Sequence, residues 1–137
     1  MSYSLIDHTA DIAIRVTGSD KKSLFLHCGY ALFDLLYETT DLHPTKTITI
    51  KANGTPSEDL LINFMRELFF NFAIYKLVLS KIVIDELTED SITATVSCEE
   101  LDLERHVLNN DIKAVTYHDV HIENEGDSLT VTIVFDT

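Results

Sequence analysis

Only two stretches of this chain repeat their apolar residues with the period of a helix, and both fall within the first 76 residues. In SDKKSLFLHCGYALFDLLYETTD, Leu24, Cys28, Ala31, Leu32 and Leu35 line one face, which predicts a helix over about residues 19–38. In TPSEDLLINFMRELFFNFAIYKL the same period joins Leu61, Phe64, Met65, Leu68 and Phe72, predicting a helix over about 56–76. Thr55 is placed to cap it, Pro56 suits the first helical position, and Glu58 can complete a capping box. The apolar stripe of this helix is read as core packing.

Around these helices the pattern alternates. YSLIDHTADIAIRVTG reads as a short strand, a polar break from Asp7 to Ala10, and a strand with Ile12, Ile14 and Val16 on one face. Asp11 falls at the start of that strand, on its more polar face with Ala13, Arg15 and Thr17. Residues 45–54 form another strand, and 77–100 read as two strands around a turn near Thr88 to Ser91. Residues 101–111 are irregular or a single helical turn, and 112–137 read as a long hairpin turning at Asn124 to Asp127. The order β-β-α-β-α-β-β-β-β implies an α+β fold of one domain, 1–137, with mostly antiparallel or mixed β-sheets and two main helices.

Composition narrows the partners. Ten basic against 23 acidic residues give a net charge of −13, so strong direct binding to nucleic acid or an anionic membrane is not expected. Such a surface suits a basic protein partner or divalent cations, or simply keeps the chain soluble. Cys28 and Cys98 lack CxxC spacing and read as buried free thiols, Cys28 being on the apolar helix stripe. No signal-peptide pattern opens the chain, and no apolar run approaches the roughly 18 residues of a membrane span. The expected location is the cytoplasm.

The stretch IKAVTYHDVHI, residues 112–122, raises the question of chemistry most directly. As one extended strand it puts Ile112, Ala114, Thr116, His118, Val120 and Ile122 on a mostly apolar face. Lys113, Val115, Tyr117, Asp119 and His121 fall on the other face, so His118 and His121 cannot share an ion. A second cluster is Asp7, His8 and Asp11, with Asp136 next to the last residue, Thr137. If the strand beginning at Asp11 meets the one ending at Asp136, the two carboxylates and an oxygen of Thr137 make a donor set for a hard cation. Aspartates at strand ends more commonly serve turns and caps. No GxSxG, P-loop, GxGxxG, HExxH or EF-hand pattern occurs, which favours a binding or accessory role.

The segments DHTADIAIRV (7–16), LLINFMRELFF (60–70), EELDLERH (99–106), IKAVTYHDV (112–120) and VFDT (134–137) together resemble the archease family, in its order and over almost the whole chain. The resemblance implies a non-catalytic accessory protein for an RtcB-type RNA ligase, the enzyme that joins 2′,3′-cyclic phosphate or 3′-phosphate ends to 5′-hydroxyl ends in tRNA splicing and RNA repair. Archeases promote guanylylation of the ligase's active-site histidine by GTP and so permit multiple turnovers. Carried over residue by residue, the family's metal site falls on Asp11, Asp136 and Thr137, for Ca2+ first, with Mg2+ or Mn2+ as alternatives. The ligase-activating set falls on Asp11, Lys113 and Asp136. The fold the family implies resembles a domain of a redox-regulated chaperone.

The chain departs from the family pattern at Ala13 and Cys98, where glycine is common, at Phe64, where tryptophan is frequent, and at Thr137, where Ile or Val is usual. The first three are matters of packing or turns. The fourth touches the metal site, although a main-chain oxygen survives a change of side chain. Two rival readings remain. A chaperone-like binding module requires an exposed apolar patch, of which the sequence gives no sign. A metal-dependent hydrolase built on Asp11, Asp136 and His8 requires an open coordination position and a substrate pocket.

Overall fold

The computed structural model describes residues 3–6, 11–117 and 119–137. In chain order they form β1 (Tyr3–Ile6), β2 (Asp11–Gly18), α1 (Lys21–Leu36), β3 (Lys46–Asn53), α2 (Ser57–Ala73), β4 (Leu77–Leu87), β5 (Ser91–Glu100), β6 (Ala114–Thr116), β7 (Glu123–Glu125) and β8 (Ser128–Asp136). One sheet runs β1-β2-β8-β6, with β7 also on β8; the other runs β3-β5-β4, and every pairing is antiparallel. The α+β reading holds.

Both helices serve both sheets. Helix α1 packs on β2 of the first sheet and β4 of the second, while α2 packs on β3, β4 and β6. A helix with apolar neighbours on two sides must bury more than one stripe. Accordingly α1 buries Phe25, Phe33 and Leu36 in addition to the predicted Leu24, Cys28, Ala31, Leu32 and Leu35. Helix α2 buries Leu61, Phe64, Met65 and Leu68 as expected, while Phe72 is only partly buried and packs against the core.

Strand β4 lies at a sheet edge, where unpaired main-chain groups invite association. Tyr30 of α1 and Tyr37, the residue that caps its C-terminus, cover it. The Tyr37 hydroxyl donates to Leu79 O (2.6 Å) and accepts from Leu79 N (2.8 Å). The Tyr30 hydroxyl does the same at Ile82, donating at 3.4 Å and accepting at 3.0 Å. Successive strand residues point their amides alternately toward and away from a neighbour, so positions three apart should face opposite ways. The register shift between Leu79 and Ile82 reverses that parity and turns both toward α1. Spacing agrees as well: seven residues of helix rise about 10.5 Å, and three of strand about 10 Å.

Three expectations need correction. Helix α2 begins at Ser57 with Pro56 at the cap position and no side-chain cap bond, so Thr55 and Glu58 form no capping box. Glu58 instead accepts a hydrogen bond from Ile122 N at 3.0 Å, an amide that β8 does not take. Residues 112–122 are not one strand: seven residue steps from Thr116 to Glu123 span only four on β8, from Val134 to Thr130, and the three extra residues loop out. Asp119 sits in that loop with φ +53°. With the strand broken its face assignment fails, and Val115 is buried with Ile112 and Val120. The geometric exclusion of a shared ion at His118 and His121 falls with it, and His118 lies outside the described residues. The helices also end earlier than predicted. The turn between β7 and β8 is where it was expected, with Gly126 at φ +63°.

Tyr37→Phe removes the partner of a buried N–H and a buried C=O. It is expected to cost about 1–3 kcal/mol in urea unfolding with an unchanged slope, and Tyr30→Phe less because that ring is only partly buried. A loss below a few tenths of a kcal/mol for Tyr37→Phe would contradict the edge-covering role.

Candidate functional site: an acidic tip beside a lysine

Strands β2 and β8 pair over eight positions, and the last pair sets Asp11 directly opposite Asp136. Directly opposite residues share a face of the sheet, with Cβ atoms about 4.5–5.5 Å apart. Asp136 is exposed and Asp11 half-buried. Two carboxylates so placed repel, and a cation between them relieves the repulsion. On the other side of Asp136 lies Ala114 of β6, and the Lys113 amide donates to the Asp136 carbonyl at 2.7 Å. The tip therefore gathers Asp11, Asp136, Thr137 and Lys113, drawn from opposite ends of the chain.

Among the described residues no group of three or more His, Cys, Asp and Glu side chains could hold a metal ion. The described donors are two carboxylates and main-chain oxygens. That set fits Ca2+ or Mg2+, which accept carbonyls and water to complete their shells, and not a structural zinc site. Asp7 and His8 lie outside the described residues.

Lys113 is held in place from α2. Arg66 Nε donates to Val115 O at 3.0 Å, and Glu58 takes the Ile122 amide. The loop before Lys113 is tied to the end of α1. Asn110 donates through its main-chain N and its side chain to Leu35 O, and Asn109 likewise to Leu36 O and Asp34 O. These bonds satisfy carbonyls that a helix C-terminus otherwise leaves open. The Lys113 side chain stays exposed, with Nζ 3.6 Å from Asp111 Oδ2.

The same loop is anchored at its start by Glu99, a buried carboxylate. Glu99 accepts from His43 N (2.5 Å), from His106 Nε2 (2.9 Å) and from the Arg105 guanidinium. Asp102 N donates to His106 Nδ1 at 2.9 Å, which leaves the ring hydrogen on Nε2, facing Glu99. Burial, and then the neighbouring Arg105, hold the His106 pKa below its ordinary value. A charged buried group with this many partners fixes a loop firmly.

Sequence reasoning missed one surface. The outward face of α2 carries Arg66 and Phe70, and its C-cap residue Ile74 continues the row, each exposed and four residues apart. Tyr75 stacks edge-on against Phe70 with ring centroids 5.4 Å apart. The expectation of no exposed apolar patch is corrected here. The signal was present as the pairs Phe69-Phe70 and Ile74-Tyr75, which exceed what one buried stripe can use.

The profile of the Archease protein family (MTH1598/TM1083) matches residues 3–137. The chain belongs to the archease family. It is 30% identical to the archease of Methanopyrus kandleri over 139 aligned residues, covering 99% of each chain. The solution structure of Methanobacterium thermoautotrophicum protein 1598 superposes with a TM-score of 0.82 at 25% identity, covering 98% of both chains. A Thermotoga maritima archease, described as a possible chaperone, has the same fold with a TM-score of 0.68 at 22% identity, over 96% of this chain and 94% of its own. Of the departures from the archease pattern, Ala13, Phe64 and Cys98 are all buried, as expected for packing positions. No helix among the described residues is long and apolar enough to cross a membrane.

The archease segment 99–106 yields a prediction about pH. His106 is held neutral in the fold and protonates more readily once unfolded, so the unfolded state gains protons as pH falls through about 6.5. Its contribution to stability is complete above that pH and is lost below it. Unfolding free energy measured at about pH 7.5 and at about pH 5.5 is expected to fall more for the wild type than for His106→Gln. Equal falls would remove His106 as the cause.

Proposed function

We propose that this chain is a non-catalytic activator of an RtcB-type RNA ligase, promoting GTP-dependent guanylylation of the ligase and its repeated turnover in tRNA splicing and RNA repair. The observation that carries the reading is the cross-strand placement of Asp11 against Asp136 beside Lys113, the three residues to which the archease resemblance gives a role in activation.

In this reading the tip enters the ligase's active site. Asp11, Asp136 and a main-chain oxygen of Thr137 would hold a divalent cation, Ca2+ or in its place Mg2+ or Mn2+, which when bound neutralises charge on phosphate oxygens. Lys113 places a positive charge at the same tip, suited to orienting the phosphates of GTP. Guanylyl transfer depends chiefly on position and charge neutralisation, and this tip offers groups for both. The net charge of −13 supports a basic docking surface on the ligase and an encounter that weakens with salt.

A chaperone-like binding role is the second reading, favoured by the exposed Phe70, Ile74 and Tyr75. It predicts no dependence on Asp136.

Multiple-turnover ligation with GTP, comparing no addition, wild type and Asp136→Ala, is the deciding measurement. Wild type is expected to stimulate strongly, and the variant to return the rate to that of ligase alone. A folded wild type that fails to stimulate the ligase of its own organism would remove the activator reading and bring the chaperone-like one forward. Thermal unfolding with and without Ca2+ tests the cation separately: a rise in Tm is expected for wild type and none for Asp136→Ala. An unchanged wild-type Tm would take Ca2+ out of the reading.

A further inference from the structure

Between α2 and the segment leading into β6 runs a groove of about 520 Å3. Phe70 and Ile74 form its helix side, Ile112 and Val115 its other side, and among the described residues that line it Arg66 and Lys113 are the cations. Ile112 and Val115 are buried, whereas Phe70 is 44% and Ile74 59% exposed. Apolar side chains exposed one turn apart and facing a second apolar wall make a slot for a side chain from outside.

The charge on the groove is opposite to that of the protein. On a chain with 23 acidic and ten basic residues, Arg66 has no carboxylate partner among the described residues. Its Nε donates to Val115 O, which fixes the guanidinium and leaves both Nη atoms without a bond among the described residues. Among the described residues Lys113 has one carboxylate nearby, that of exposed Asp111 at 3.6 Å. A carboxylate presented beside an apolar side chain would meet the Arg66 guanidinium while its neighbour fills the slot.

The groove also adjoins the tip. Lys113 lines it, and the amide of that residue is bonded to Asp136 O. Anything held at the tip stands against the groove.

We propose that the groove is a second docking point for the ligase of the preceding section, receiving a segment in which an apolar side chain lies next to a carboxylate. The assignment of the partner rests on the activator reading. The tip selects a basic surface and the groove an acidic segment with an apolar anchor. Two points of opposite polarity admit one orientation and penalise the reversed one.

The test is a titration of the full chain into multiple-turnover ligation reactions, with folding of each variant checked by amide NMR. Ile74→Ser is expected to raise the concentration for half-maximal stimulation about tenfold while reaching the wild-type plateau, and Arg66→Glu to raise that concentration by at least as much. Arg66→Lys, which keeps the charge, is expected to regain most of the loss. Asp136→Ala is expected to remove the plateau itself. Unchanged half-maximal concentrations for Ile74→Ser and Arg66→Glu, with wild-type stimulation intact, would overturn the groove and leave the activator reading standing. An equal loss in Arg66→Lys and Arg66→Glu would overturn the carboxylate, since it would trace the effect to the bond with Val115. Absence of stimulation by the wild type would overturn the activator reading, and the partner assigned here with it.

Discussion

The pairing of β2 with β8 is the constraint on which the rest of this structure depends. It joins residues at the two ends of the sequence, a closure whose entropic cost must be met by what the pairing buries. Ile14, Val16, Val131, Ile133 and Phe135 on the inner face meet it, since all five are buried in the common core. Once the ladder exists, α1 has a floor to pack on, and β6 and β7 have an edge to extend. The end of the ladder is where Asp11 and Asp136 meet. A slip of one residue would turn their side chains to opposite faces and dissolve the tip.

Helix α2 has a different relation to each of its surroundings. Its buried residues belong to the core between the sheets, while Glu58 and Arg66 hold the segment that follows Lys113. Glu58, which would ordinarily serve the helix's own first turn, is used to fix a neighbouring loop. The lysine is thus positioned by distant sequence, and the rigidity of the helix passes to the tip. The same helix leaves Phe70 and Ile74 uncovered beside a guanidinium, so that scaffold and recognition surface share one element.

Legibility varied with how local the cause was. The helix spanning Leu61 to Leu68 and the strand from Asp11 to Thr17 were readable because one face of each packs on the core. The stretch from Ile112 to Ile122 was misread because its alternation is compatible with a strand, and nothing within it announces that Glu58 will take the Ile122 amide. Thr55 and Glu58 looked like a cap for the same reason: the competing donor lies 64 residues further along the chain. Tyr30 and Tyr37, spaced by a heptad, gave no hint of the β4 edge they cover, since that bond depends on a register shift in another strand.

By itself the sequence determined two helices, a set of antiparallel strands, an acidic surface and, through its archease segments, the residues of the tip, because periodicity, charge and motif are properties of the chain. The tertiary structure alone decided that Asp11 faces Asp136, that Lys113 is held from α2 beside them, and that Arg66, Phe70 and Ile74 look outward over an open groove. Those outcomes depend on which side chains win a shared hydrogen-bond donor or apolar neighbour once remote segments are in contact. That competition exists only in the folded molecule.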